Sequence, residues 1–138
     1  MTNIKKLSYF IILFAMSNMV QGGNYNKVSL ELNGIEDGKT YSSPIKIDFI
    51  VKNMKVVKAG VNEKNSGHHH LLLNLDEMPN LKMPLPMTEN ILHYGKGQTS
   101  TTLELSPGKH TIQLLFADYS HTPHNPPLMT KKITIFIK

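Results

Sequence analysis

One short stretch decides the fold of this chain: His68-His69-His70-Leu71-Leu72-Leu73-Asn74-Leu75. Successive side chains of an extended strand point to opposite faces. Leu71, Leu73 and Leu75 therefore share a face with His69, whereas His68 and His70 lie together on the other face, about 6.6 Å apart along the strand. The apolar face predicts a strand that turns His69 and its leucines inward.

Further strands are predicted on both sides of this stretch. Apolar and polar residues alternate in them, and Gly- and Pro-containing turns separate them. The apolar sets are Val28/Leu30/Leu32, Ile45/Ile47/Phe49/Val51, Leu103/Leu105, Ile112/Leu114/Phe116 and Ile133/Ile135/Ile137. No window of helical period competes with them, so we predict an all-β protein, an immunoglobulin-like antiparallel β-sandwich of about seven strands. Its predicted core contains Ile47, Phe49, Leu73, Leu114, Phe116 and Ile135.

The first residues resemble a cleaved signal peptide. Lys5 and Lys6 precede an apolar run from Leu7 to Met16, and Gly22 follows at a suitable cleavage position. We predict a signal peptide over residues 1–22, a single β-sandwich domain over residues 23–138, and a periplasmic or secreted protein. The alternative is an uncleaved membrane anchor, but the apolar run is shorter than the roughly 20 residues that a spanning helix needs. No membrane span is expected once the signal is removed.

Composition narrows the chemistry. The sequence has no cysteine, so a metal site must use histidine, methionine or carboxylate ligands. The formal net charge is +5, and all of the basic residues are lysines, which are scattered along the chain. Nucleic-acid surfaces usually cluster their positive charge and favour arginine. We therefore expect no nucleic-acid partner.

Histidine is the unusual residue of this sequence, with seven, all between residues 68 and 124. In immunoglobulin-like order, the strand that begins at His68 pairs antiparallel with the strand that ends near Asp118. This pairing gathers six histidines at one pole of the sandwich and leaves His110 at the other. The predicted metal ligands are His68, His70, His93, His121 and His124. His69 and Asp118 are expected to form a hydrogen-bonded pair that does not bind the metal itself but orients the residues that do.

Each of these residues also has a structural interpretation. A buried histidine can simply be a hydrogen-bonded core residue, which is the interpretation we favour for His110, and His69 with Asp118 can be a structural pair alone. Met78, Met83 and Met87 are interpreted as filler of irregular gaps, although thioethers also bind Cu(I). Histidine itself suits copper and zinc, so copper or zinc is the expected metal.

Four motifs in order along the chain resemble a known family. They are Gly67-His68-His69-His70-Leu71-Leu72, then His93-Tyr94-Gly95-Lys96-Gly97-Gln98-Thr99, then Pro107-Gly108-Lys109-His110-Thr111-Ile112-Gln113-Leu114, and finally Asp118-Tyr119-Ser120-His121-Thr122-Pro123-His124-Asn125-Pro126-Pro127. Together they resemble the bacterial exported family of domain of unknown function 4399. The resemblance implies that the histidines belong to a recurring pattern. One departure is Asn74, where the family pattern commonly has an acidic residue; if that acid contributes to a site, this chain lacks that part of it.

Three functions remain open at this point. The first is metal binding outside the cytoplasm. The second is a non-metal binding or interaction module that contacts a periplasmic protein, a glycan or the cell wall. The third is an enzyme in which histidines hold an ion that activates water. No serine elbow, cysteine or recognisable carboxylate pair accompanies the histidines, so an enzyme is the least favoured of the three.

Overall fold

The structure, a computed structural model, describes residues 27–138. The predicted signal peptide, residues 1–22, lies outside the described residues. The strands are β1 (Ser29–Asn33), β2 (Thr40–Tyr41), β3 (Ile45–Lys52), β4 (Lys55–Val56), β5 (Ser66–Leu73), β6 (Ile91–Tyr94), β7 (Ser100–Leu103), β8 (Gly108–Ala117), β9 (Pro123–Met129) and β10 (Ile133–Ile137). No helix lies among residues 27–138, and hence none that is long and apolar enough to cross a membrane.

The strands form two sheets, which confirms the predicted all-β sandwich. The smaller sheet has the order β1-β3-β7, and the larger has the order β2-β10-β8-β5-β4. In the larger sheet β6 also pairs with β5, and β9 also pairs with β8. Neighbouring strands are antiparallel except in the short pairs β2–β10 and β4–β5. The sequence prediction of about seven strands missed the short β2 and β4, and also β6 and β9, whose residues lie in segments that look like loops.

The predicted pairing of the histidine strand with the strand that ends near Asp118 is confirmed. β5 and β8 run antiparallel, with His68 opposite Ala117 and Leu73 opposite Ile112. β8 lies at the centre of the larger sheet, because it also pairs with β10 and β9. The three strands that flank β8 therefore take their positions from it.

Hydrophobic residues cover both faces of the larger sheet. Five of the six predicted core residues are buried between the two sheets, whereas Leu73 is half-buried and packs against their cluster. A second cluster on the opposite face contains Leu72, Leu85, Ile91, Leu115 and Ala117. Because both faces of β5 are covered, every histidine of its triplet is buried: His68 and His69 are 0% exposed and His70 is 2% exposed.

Truncation of Phe116 tests this core. Phe116 is fully buried, so Phe116→Ala is expected to lower the free energy of unfolding by about 3–5 kcal/mol, measured by urea denaturation. Phe136→Ala on β10 is the matched control, since Phe136 is 41% exposed and its truncation should cost much less. A loss below about 1 kcal/mol for Phe116→Ala would contradict the core assignment.

Candidate metal centre

Four histidines from three segments converge at one end of the larger sheet. His68 and His70 share a face of β5, and the β5–β6 pairing sets His93 directly opposite His70. His121 comes from the turn that follows β8. One ring nitrogen of each residue lies within 4.8 Å of the others. We call His68, His70, His93 and His121 the histidine cluster.

The rings of the histidine cluster are in mutual contact. Ring centroids are 4.7 Å apart for His68 and His70, and 4.8 Å apart for His93 and His121. The Nε2 atoms of His93 and His121 lie 3.1 Å from each other. His68 and His70 are buried, His121 is half-buried and His93 is exposed. The cluster therefore has a buried side and an open side.

A tight turn presents His121 to the cluster, and Asp118 holds that turn. Asp118 Oδ1 accepts hydrogen bonds from the Ser120 N–H and hydroxyl, both at 2.8 Å, and from the Thr122 N–H at 3.0 Å. His121 has a φ of 66°, in the left-handed region that few side chains adopt. Its carbonyl oxygen accepts a hydrogen bond of 2.9 Å from the Leu85 N–H. The turn is thus fixed from both ends, and Asp118 positions His121.

Gly95 makes room for His93. A Cβ atom added at Gly95 would collide with Cε1 and Nε2 of the His93 ring, and would lie 3.2 Å from the Ala59 side chain. The Gly95 carbonyl oxygen also accepts a hydrogen bond of 2.9 Å from the Ala59 N–H, which fixes the backbone there. Any side chain at this position therefore requires the His93 ring to move.

Burial favours the neutral form of His68, His70 and His93. It lowers the pKa of His70 to about 3, and the nearby imidazoles of His68, His93 and His121 add to the effect. Burial also lowers the pKa of His68 to about 4, with His93 and His121 acting in the same direction and the Asp118 carboxylate in the opposite one. The pKa of His93 is lowered by burial and by His121. Neutral imidazole is the form that binds metal ions.

The buried nitrogens of the cluster lack hydrogen-bond partners. Both ring nitrogens of His68 and Nδ1 of His70 are buried without a partner among residues 27–138. A buried polar atom left unpaired costs about 1–3 kcal/mol. A neutral imidazole has one nitrogen with a free lone pair, so each of the four residues offers one nitrogen ligand, and this donor set suits a transition metal. The histidine cluster could hold a metal ion.

The predicted hydrogen bond between His69 and Asp118 is not formed. The Nδ1–H of His69 donates to the Gln98 carbonyl oxygen at 3.2 Å, and its ring packs against Phe49 and Phe116 with centroid distances of 5.2 and 5.0 Å. The strand alternation does turn His69 inward, as predicted, and its side chain packs in the core between the two sheets. The Asp118 carboxylate instead accepts hydrogen bonds within its own turn. Burial lowers the pKa of His69 to about 4, although the hydrogen bond to the Gln98 backbone acts to raise it.

His124, the fifth predicted ligand, lies outside the histidine cluster. β9 pairs with β8 so that Pro123 lies opposite Ala117, and the next residue, His124, stacks on the Phe116 ring at a centroid distance of 5.9 Å. Its Nε2 is buried and has no hydrogen-bond partner within the described part of the chain. Burial lowers the pKa of His124, although the Asp118 charge and a hydrogen bond with the Ser66 backbone act to raise it.

His110 and Asn74 form a separate unit near the start of β8. The Asn74 side-chain amide donates to His110 Nδ1 at 3.0 Å, and the His110 Nε2–H donates to the Ser106 carbonyl oxygen at 2.7 Å. Asn74 Oδ1 also accepts a hydrogen bond from the Thr111 N–H. The interpretation of His110 as a hydrogen-bonded core residue is confirmed. The departure at Asn74 therefore falls beside His110 and leaves the donors of the histidine cluster intact.

A cavity of about 640 Å³ opens beside the histidine cluster. His70, His93 and His121 line one side, and residues 84–89 with Ile91 line the remainder. Met78, Met83 and Met87 were expected to fill gaps, but they are 41%, 56% and 94% exposed, so that interpretation is wrong.

Sequence reasoning missed Gly95 and the turn-forming role of Asp118. The signals were present: a glycine two residues after His93, and the spacing Asp-x-Ser-x-Thr, which is typical of side-chain-capped turns.

The buried neutral histidines predict that acid destabilises the metal-free protein. An unfolded histidine binds a proton near pH 6.5, whereas folded His68 and His70 do so only near 4 and 3. Their contribution to stability is therefore complete above about pH 6.5 and is lost as the pH falls toward the folded values. Urea denaturation in chelator between about pH 7.5 and 4.5 measures this loss. His70→Gln should make the loss of stability with falling pH shallower. A urea midpoint that does not change with pH would contradict the assignment of His68 and His70 as buried, neutral histidines.

Comparison with known proteins places the chain in a family. No curated protein and no solved structure matches it. The model of the family described as Domain of unknown function (DUF4399) matches residues 47–138, which include the histidine cluster, His69, His110 and His124. This chain therefore belongs to the DUF4399 family.

Proposed function

We propose that this protein binds one divalent transition-metal ion, copper or zinc, through His68, His70, His93 and His121. The observation that carries the proposal is the set of buried, unpartnered ring nitrogens in a group whose ligand atoms all lie within 4.8 Å of one another. An ion bound there would give a partner to one ring nitrogen of His68 and to one of His70. His124 is not a ligand in this proposal, since its ring stacks on Phe116.

The distances within the cluster support a single ion. Zinc–nitrogen bonds of about 2.0–2.1 Å place two ligands of a tetrahedral site about 3.4 Å apart. The 3.1 Å between the Nε2 atoms of His93 and His121 is close to this value. The widest separation, 4.8 Å, must shorten on binding. His93 is the exposed member of the cluster, so its ring is the one with solvent on one side.

The donor chemistry supports copper or zinc over harder ions. The cluster offers neutral imidazole nitrogens and no oxygen ligand, whereas Mg²⁺ and Ca²⁺ take oxygen ligands. Nitrogen sites bind Cu²⁺ more tightly than Zn²⁺ in the ordinary affinity order. Availability outside the cytoplasm would then decide between them. The export pattern in residues 1–22 is the basis for proposing that the protein works in the periplasm or as a secreted protein.

An interaction module is the second candidate function, and exposed apolar side chains favour it. Three side chains are exposed here: Met87 of the cavity wall at 94%, Met83 just before that wall in the sequence at 56%, and Tyr119 next to the His121 turn at 42%. A periplasmic protein or glycan could contact them without any metal. Failure of the tag-free protein to bind Zn²⁺ and Cu²⁺ in calorimetry would favour this alternative.

Single substitutions test the ligand set. His70→Ala and His121→Ala should each weaken Zn²⁺ or Cu²⁺ binding by about 100-fold or more, since each removes a ligand and even outer-shell changes cost 10–100-fold. His110→Gln and His124→Gln are the matched controls and should stay within about threefold of the parent. The measurement is isothermal titration calorimetry on tag-free protein, with folding checked by circular dichroism. Equal losses in all four variants would indicate unspecific histidine binding and contradict the site.

Gly95→Ala tests the geometry without removing a ligand. The new methyl group must displace the His93 ring, so metal affinity should fall by about tenfold while the other three ligands remain. The same substitution in a His93→Ala background should have almost no further effect, because its target is gone. An unchanged affinity in the single variant, or a full additional loss in the double variant, would show that Gly95 does not act through His93.

A further inference from the structure

The cavity meets the histidine cluster on its open side. His70, His93 and His121 line the cavity, whereas His68 is not part of its wall. His68 is fully buried and faces the other three rings, with centroid distances of 5.0 Å to both His93 and His121. An ion held by the four rings therefore has protein behind it and the cavity in front of it.

The walls of this cavity are mainly apolar. Leu85 and Ile91 are buried at its base, and Pro84, Pro86 and Met87 continue the apolar surface toward the rim. The backbone of this wall is tied to the metal centre, because the Leu85 N–H donates to the carbonyl oxygen of His121. A volume of about 640 Å³ lies within the range of roughly 300–1,000 Å³ that is typical of small-molecule pockets.

We propose that the cavity binds a small ligand with an apolar body, whose neutral nitrogen donor occupies the cavity-facing coordination position of the ion. This inference rests on the proposed function, because the ion forms the floor of the pocket. Zinc and Cu²⁺ both accept a fifth or axial ligand beyond four. The apolar body then contacts Leu85, Ile91 and the prolines, where burial of apolar surface stabilises it.

The negative charge at the rim disfavours an anionic donor. The Glu89 carboxylate lines the cavity, and no lysine is part of its lining. The ion would attract a carboxylate ligand, but that ligand would also approach the Glu89 carboxylate, whose charge no lysine of the lining offsets. An uncharged aromatic nitrogen heterocycle meets no such repulsion. It also presents a flat apolar ring to the wall.

Two probes that share one donor separate the metal contact from the pocket contact. Imidazole and 4-phenylimidazole coordinate through the same ring, but only the second has an apolar body. On Cu²⁺-loaded protein, 4-phenylimidazole should bind at least about tenfold more tightly than imidazole, and it should change the Cu²⁺ electron paramagnetic resonance spectrum. On metal-free protein its affinity should be at least about tenfold lower, because the anchoring ion is missing. Metal content after dialysis verifies that the probe has not removed the ion.

Thr88→Trp is the variant that fills the pocket. Thr88 is an exposed residue of the cavity rim, so the larger ring should reduce the preference for 4-phenylimidazole to less than about twofold and leave metal affinity within threefold. Thr102→Trp, at an exposed position on β7, is the matched control and should keep the full preference. If the unsubstituted protein does not bind metal, the proposed function and this inference are both overturned. Metal binding without the preference, or a preference that survives Thr88→Trp or metal removal, would overturn this inference alone.

Discussion

The antiparallel pairing of β5 with β8 is the constraint on which the rest of the structure depends. It places His68 opposite Ala117 and brings the end of β8 beside the start of the histidine triplet. β6 pairs with β5 and places His93 opposite His70, and β9 pairs with β8 so that the turn between them carries His121. Two hydrophobic clusters cover the two faces of β5, so its three histidines are desolvated by packing in the core.

The parts of the site that follow local rules could be predicted from the sequence. Period-two alternation puts His68 and His70 on one face, and antiparallel geometry brings the region after Asp118 to the same end of the sheet. His124 could not be placed in this way. The β8–β9 register shifts at Phe116 and Ala117, and a shift of this kind decides which face the following side chain takes. The partner of Asp118 depended on a left-handed residue in a turn, which alternation does not reveal.

Histidine has three different roles within this one small domain. In the cluster, ring nitrogens of His68 and His70 are buried and unpaired. At His69 one nitrogen donates to a backbone carbonyl, and at His110 both nitrogens are paired, with Asn74 and Ser106. A histidine whose ring nitrogens are all hydrogen-bonded has a structural role. Unpaired buried nitrogens that lie close together cost folding free energy and indicate a binding site. Proteins retain such local conflicts mainly where function requires them. This contrast, rather than the number of histidines, distinguishes the cluster from the others.

The spread of the cluster over β5, β6 and the turn after β8 has a further consequence. An ion held there joins segments far apart along a chain that has no cysteine. It would act as a reversible cross-link, closing the long loop that separates β5 from β6 and restricting the unfolded chain much as a disulfide does. Small secreted domains often use disulfides to restrict the unfolded chain in this way. Here the durability of the domain would instead follow the supply of metal in its surroundings, so that a scarcity of the ion would shorten the lifetime of the protein itself.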